Sequence, residues 1–239
     1  MSGRSLFGRF VRLPLRLIPE NAVIPILQGR LRGKRWIAGS SDHGCWLGSY
    51  EFETRRVFEE MISSGSIVYD IGAHVGYYTL LASELVGADG HVYSFEPHPK
   101  NIAYLQQHLE LNSIENVTFF EGALADRSGD ANFKYGPSRS MGKISDEGEY
   151  RVKLFSIDEL IAGDKIEPPQ FIKIDVEGAE LAVLHGASKC LETYHPTLFL
   201  ETHGDRIHQE SLRELVHMGF EVKPLTNETL NRAGTILAY

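Results

Sequence analysis

Only two cysteines, Cys45 and Cys190, occur in 239 residues, and neither belongs to a C-x-x-C pair or a metal-type spacing. That excludes a disulfide scaffold and predicts free thiols in a reducing compartment. No apolar run approaches the ~20 residues that span a bilayer. Arg9, Arg12, Pro14 and Arg16 interrupt the apolar start, so no secretory leader is expected and the reading is cytoplasmic. Internal repeats and low-complexity segments are also missing. Basic residues are outnumbered by acidic ones except at the start, where Arg4, Arg9, Arg12, Arg16, Arg30, Arg32, Lys34 and Arg35 oppose only Glu20; the whole chain carries −8. The acidic remainder argues against a nucleic-acid partner. The basic start, interleaved with Leu6, Phe7, Phe10 and Val11, suits peripheral contact with an anionic membrane or an arm packed on the body. Pro14, Pro19 and Pro25 prevent one long helix there.

What is present is enough apolar material, 42% of residues, for one full core. Residues 1–54 are expected to form a basic arm and cap, and 55–239 the main domain. The most informative segment runs from Ile67 through Asp70, Gly72 and Gly76 to Thr79. An apolar strand enters a glycine turn, and a helical pattern follows over Tyr77–Val86. Glycines at such a turn allow close backbone approach and direct amides at a ligand. A second strand, His91–Glu96, ends in a carboxylate twenty residues after Gly76, the distance at which an acid accepts from ribose hydroxyls. A dinucleotide fold would place G-x-G-x-x-G here; instead Asp70 precedes the first glycine and His74 stands where another would fall. An acid at the turn repels a pyrophosphate and suits an ammonium. S-adenosylmethionine therefore fits, with its cation near Asp70 and Gly72 and its ribose on Glu96.

Further elements follow in alternation. A helix is expected from Pro99 to Leu111, a strand over Val117–Glu121, a β-rich excursion at Ala131–Tyr135 and Arg151–Phe155, and a loop at Gly136–Gly148 between them. Ser156 caps a helix through Ala162. A strand at Gln170–Asp175, a helix at Gly178–His185, a strand at Thr197–Glu201 and a helix at Gln209–Met218 come next. Glu221–Leu225 and Thr235–Tyr239 read as a terminal hairpin. The order predicts a Rossmann-like α/β fold: a doubly wound, mostly parallel sheet with an antiparallel C-terminal hairpin strand. Ligands of such sheets bind beyond the carboxyl ends of the strands, where Asp70, Glu96, Glu121, Asp175 and Glu201 all fall. Ala123 and Leu124 would line an adenine edge there.

Asp70-Ile-Gly-Ala-His-Val-Gly-Tyr-Tyr-Thr, Phe95-Glu-Pro97, Lys173-Ile-Asp-Val-Glu-Gly-Ala-Glu180 and Glu201-Thr-His203 resemble the motifs of the FkbM-type family of S-adenosylmethionine-dependent methyltransferases. The resemblance covers roughly Glu51 to His203 and the terminal strands. It departs at His74, where the family more often carries Asn. It implies a class I methyltransferase fold and, in most cases, O-methylation. It also implies cofactor contacts from Asp70, Gly72, Ala73, His74, Gly76, Tyr78, Thr79, Glu96, Pro97 and Asp175.

Methyl transfer needs orientation and a base for the acceptor hydroxyl. Asp175, Glu201 and His203 share the rim and are the expected catalytic residues. His203 is the candidate base, being largely neutral near pH 7 if its pKa is the ordinary ~6.5. Its rival reading is a satisfied histidine at a strand end. Glu180 is expected to be structural, and Lys173 to pair with a carboxylate. Asp175, Glu201 and His203 also resemble a metal set, but no tight spacing supports one, and no metal is expected. The acceptor is a small-molecule or glycan hydroxyl: a sugar, a lipid-linked glycan or a secondary metabolite. His43, Trp46, Tyr50 and Glu51 could cover it as a lid or simply pack as a cap, with Pro137–Gly142 opposite. A nicotinamide-dependent oxidoreductase and a catalytically silent cofactor-binding module are the alternatives.

Overall fold

The computed structural model describes residues 17–135, 142–144, 148, 150–225, 230 and 232–239. The basic stretch up to Arg16 and the segment 137–141 lie outside the described residues.

The central sheet has seven strands. In chain order they are β3 (Ile67–Ile71), β4 (His91–Glu96), β5 (Val117–Glu121), β10 (Phe171–Asp175), β11 (Thr197–Glu201), β12 (Val222–Pro224) and β13 (Thr235–Ala238). Across the sheet they run β12-β13-β11-β10-β3-β4-β5. β3, β4, β5, β10 and β11 are parallel, and β13 runs antiparallel beside β11. The expected terminal hairpin is therefore present, with β12 outermost. Alternation along each strand divides the core in two. Val68, Phe171 and Phe199 join one apolar cluster, whereas Tyr69, Ile71, Ile172, Ile174, Leu198 and Leu200 join the other. Strands covered on both faces are what a doubly wound sheet requires. The chain leaves β3 toward β4 and β5, then returns to β10 on β3's other side. The topological switch point, where such sheets bind ligands, thus lies between β3 and β10.

Helix α3 (Tyr77–Val86) follows β3 and is buried along most of its length. Helix α4 (Pro99–Leu111) opens with proline in its first turn, and the His98 side chain accepts from the Lys100 amide. Ser156 caps α5 (Ile157–Ala162), as expected. Three helical boundaries differ from expectation. α6 spans Glu180–Gly186, a separate helix α7 covers Ser188–Tyr194, and α8 begins at Asp205 and ends at His217. The α6–α7 break falls where Gly186 meets the Ala125 carbonyl so closely that an added Cβ would lie 1.9 Å from it. No periodicity of apolar residues announces that contact.

A second sheet of four strands, β6 (Ala123–Leu124), β7 (Gly129–Tyr135), β8 (Gly142–Ile144) and β9 (Tyr150–Phe155), accounts for the β-rich excursion. β8 falls within the segment read as loop. The N-terminal region contributes a hairpin of β1 (Val23–Pro25) and β2 (Arg35–Ile37), then α1 (His43–Leu47) and α2 (Phe52–Met61). Trp36 stacks on His108 of α4 at 3.8 Å between ring centroids, and the Ile37 amide donates to His108 Nε2 at 3.1 Å. Ile26, Leu31, Trp36, Cys45 and Trp46 share the apolar cluster of α3. Among the described residues no helix is long and apolar enough to cross a membrane.

Candidate active site

A cavity of about 900 Å³ opens at the switch point, within reach of the ends of β3, β4 and β10. Gly72, at the close of β3, has φ +78°, and a Cβ there would lie 1.9 Å from the Asp175 carbonyl oxygen. Only glycine fits, and its absence of side chain brings the two strand ends into contact. The amides of this turn are not free, contrary to expectation. Gly72 and Ala73 both donate to the Phe95 carbonyl at 3.0 Å, and the His74 amide donates to Glu96 Oε2 at 2.8 Å. At Gly72, Ala73 and His74 the turn offers close approach rather than amide donors.

Glu96 lines the cavity and is only 7% exposed. Its Oε1 accepts from the His98 amide at 2.9 Å and Asn101 Nδ2 at 3.1 Å. Burial pushes its pKa up to about 7, against the pull of those donors. Asn101 and His98 were not singled out from the sequence, although a polar residue in the first turn after the Glu96 strand was a readable signal. Gly72, His74, Pro97, Ala123, Leu124 and Asp175 also line the cavity. Ala73 and Tyr78 line an adjoining recess of about 30 Å³.

Asp70 does not face the cavity. The register sets Lys173, Asp70 and Ser94 side by side across β10, β3 and β4, beneath α3. Asp70 is fully buried there; its Oδ2 accepts from Thr79 Oγ1 at 2.6 Å and its Oδ1 lies 3.6 Å from Lys173 Nζ. The expected contact between Asp70 and a cofactor ammonium is corrected: Asp70 and Thr79 brace the turn from below. Gly76 starts α3 in a left-handed conformation, φ +91°, and lines neither space. Burial raises the Asp70 pKa, while Lys173 and Thr79 oppose that rise.

Asp175 and Glu201 are paired in register at the ends of β10 and β11, with His203 two residues beyond. Asp175 Oδ2 lies 3.3 Å from the buried Lys173 Nζ, the pairing expected for that lysine. Lys173 keeps its charge: burial disfavours it, but Asp175 and Asp70 outweigh burial and raise its pKa. His203 Nδ1 lies 2.8 Å from Glu180 Oε1, which also accepts from the His203 amide at 3.0 Å. Glu180 is fully buried, the structural role read for it. That hydrogen bond, with Glu177 and Asp175 nearby, raises the His203 pKa to about 9 despite partial burial. His203 is thus a cation near pH 7, not the neutral base expected. Glu201 is the group poised to exchange a proton there. Burial, then Asp175 and Glu51, push its pKa up to about 7, with Lys173 and His203 opposing. Asp175 lines the cavity; Glu201 and His203 do not.

Of the candidate lid, Tyr50 lines the cavity together with Gly39–Asp42, a loop not read from the sequence. Trp46 is 5% exposed and packs on His43, so it belongs to the cap. Glu51 accepts from the Tyr78 hydroxyl at 2.8 Å.

Residues 70–222 match the methyltransferase FkbM domain. The hexuronic acid methyltransferase AglP of Haloferax volcanii is 29% identical over 145 residues, 60% of this chain and 59% of that protein. The chain thus spans about three fifths of that relative's length. The crystal structure of methyltransferase FkbM from Methylobacillus flagellatus superposes with a TM-score of 0.51 at 16% identity, over 82% of this chain and 53% of that one. Aeropyrum pernix fibrillarin, solved with S-adenosyl-L-methionine, gives 0.50 at 14% identity, over 75% and 68% of the two chains. These structures share the fold, and the domain match covers most of the sheet and its strand-end residues: the chain belongs to the FkbM methyltransferase family.

Proposed function

We propose that the protein is an S-adenosylmethionine-dependent O-methyltransferase acting on a hydroxyl of a sugar, whether free, in a lipid-linked glycan or in a secondary metabolite. The observation that carries this reading is the meeting of Gly72, Glu96 and Asp175 around one cavity of about 900 Å³. That volume lies near the upper end of the ~300–1,000 Å³ usual for small-molecule sites and suits two reactants. Family membership supports the chemistry, and the hexuronic acid methyltransferase supports a sugar acceptor.

When bound, the cofactor supplies an electrophilic methyl group on a sulfonium centre. Glu96 accepts from the ribose hydroxyls, its side chain already fixed by His74, His98 and Asn101. Asp175 places negative charge beside the reaction centre, and Lys173 holds its Oδ2. Glu201, in register beside the cavity-lining Asp175, takes the acceptor's proton through an intervening water, and its pKa of about 7 allows exchange at neutral pH. With no metal beside it, His203 is a cation on Glu180 and moderates the acidic rim. Tyr50 and the Gly39–Asp42 loop enclose the acceptor side.

The test pairs calorimetry with product analysis. S-adenosylhomocysteine should bind and NAD should not. Labelled methyl groups should then appear on oxygen in a panel of uronic acids and neutral hexosides. Binding of NAD alone, or label on carbon or nitrogen, overturns the proposal.

A further inference from the structure

We propose that Asp175, Glu201 and His203 form a binding site for one divalent transition-metal ion, with Glu180 orienting the histidine. The inference relies on the methyl-transfer reading for what the ion would do, not for whether it binds.

Geometry comes first. Sequence spacing conceals this set, because Asp175 and Glu201 become neighbours only through the parallel register of β10 and β11. One ligand atom from each of the three residues lies within 4.8 Å of the others. Bonds of ~2.0–2.2 Å to a shared ion place three ligand atoms roughly 3.0–3.8 Å apart, so the set would close by about 1 Å on binding. Two carboxylates and one imidazole, with open positions, suit ions such as Fe²⁺ or Mn²⁺. Asp175 divides its two oxygens: Oδ2 lies 3.3 Å from Lys173, while Oδ1 faces His203 Nε2 at 3.9 Å. Glu177 Oε2 is also 3.9 Å from that nitrogen.

A second observation lies behind the set. Glu180 is 0% exposed, Oε1 holds His203 Nδ1, and Oε2 is buried with no hydrogen-bond partner. Burying a carboxylate with one oxygen unsatisfied is costly. Here it fixes the ring so that Nε2 points at Asp175, the arrangement by which carboxylates orient metal-binding histidines. A merely solvated acidic rim has no need of such a partner. The surrounding charge favours a cation, since Glu51, Asp175, Glu177, Glu180 and Glu201 oppose Lys173 alone once the ion displaces the proton from His203 Nε2 to solvent. Because Asp175 also lines the cavity, an ion here would touch the acceptor space. It would bind a vicinal diol or a uronate carboxylate that the acidic rim alone would repel, and by lowering the acceptor hydroxyl's pKa it would replace the base role that Glu201 has in the metal-free rim.

Electron paramagnetic resonance on the full chain, first stripped with a chelator, tests this with Mn²⁺ as the probe. One equivalent should bind saturably, and pulsed spectra should show modulation from an imidazole nitrogen. Glu201→Gln and His203→Ala should each weaken Mn²⁺ binding by at least the ~10–100-fold typical of disturbing metal-site partners, and Glu180→Gln by about tenfold through loss of His203 orientation. No saturable binding at millimolar Mn²⁺, no nitrogen modulation, or unchanged binding in His203→Ala overturns the site. If a variant fails to fold, the wild-type nitrogen signal decides alone. Calorimetry with S-adenosylhomocysteine on the same stripped sample separates the two readings. Its binding without Mn²⁺ binding removes only the metal site; Mn²⁺ binding without it removes only the methyl-transfer reading.

Discussion

The two sides of the cavity are built differently. On the β3–β4 side the charged groups are held by the protein itself: Glu96 takes three donors, Asp70 is bonded by Thr79 and paired with Lys173, and the Gly72, Ala73 and His74 amides bond to Phe95 and Glu96. On the β10–β11 side the charged groups stand farther apart. His203 and Asp175 are about a third exposed and 3.9 Å from one another. The first side is complete before anything binds, which suits a cofactor that is the same in every turnover. The second is finished by what enters it, which suits a variable acceptor and a proton that must move.

The largest expected effect breaks the contrast on the chemical side. Glu201→Gln should lower methyl transfer by ~10²–10⁴-fold, the usual worth of a general base. S-adenosylhomocysteine affinity should stay within a few-fold. Single-turnover rates near wild type would show that the proton goes elsewhere.

Gly72→Ala attacks the completed side. The added Cβ would meet the Asp175 carbonyl and sit at φ +78°, so overpacking and left-handed strain together should cost about 3 kcal/mol or more. Urea denaturation with an unchanged midpoint would mean that the turn yields.

Glu96→Ala should weaken S-adenosylhomocysteine binding by ~1.5–3 kcal/mol, the worth of hydrogen bonds to a charged group. A pH signature accompanies it. The folded pKa of about 7 lies above the ordinary 4.5, so the folded protein holds this proton more tightly. Glu96 therefore contributes stability that is fully present below about pH 4.5 and is lost as pH rises to about 7. Ribose hydroxyls favour the ionised form, so affinity should rise with pH through that region. Calorimetry across pH should find the rise flattened in Glu96→Gln.

Smallest of all, Tyr78→Phe removes the bond to Glu51 and should cost ~1 kcal/mol. It sharpens the contrast because Glu51 belongs to the cap. An effect confined to acceptor KM would place that bond on the variable side; loss of cofactor affinity would place it on the other.

The sheet was legible because its strands are short apolar runs ending in Asp, Glu or Gly. β3, β4, β5 and β11 fall at their expected residues. Strand ends also located Glu96 and Asp175. Asp70 misled because periodicity tells which face a residue shares, not whether a helix covers that face; α3 covers it. His203 misled for a related reason. Its ordinary pKa holds only without Glu180, and that contact joins a helix to a strand end 23 residues away. β1, β2 and α1 went unread because they span only three to five residues and gain their order by packing on α3 and α4; α2, ten residues long, has no such excuse of length.

The contact between Gly72 and the Asp175 carbonyl also governs thermal fluctuation. With no side chain between them, the turn at Gly72 and the end of the strand that carries Asp175 are in direct contact and would be displaced together, and with them the proposed methyl-donor and acceptor positions. Breathing of the cap or of the exposed rim would then change the entrance while leaving the separation of these two strand ends as it is. Misplacement of ~1 Å between reacting groups can cost ~10²-fold in rate. A glycine that forms no part of the chemistry thereby narrows the spread of reaction distances sampled from one turnover to the next.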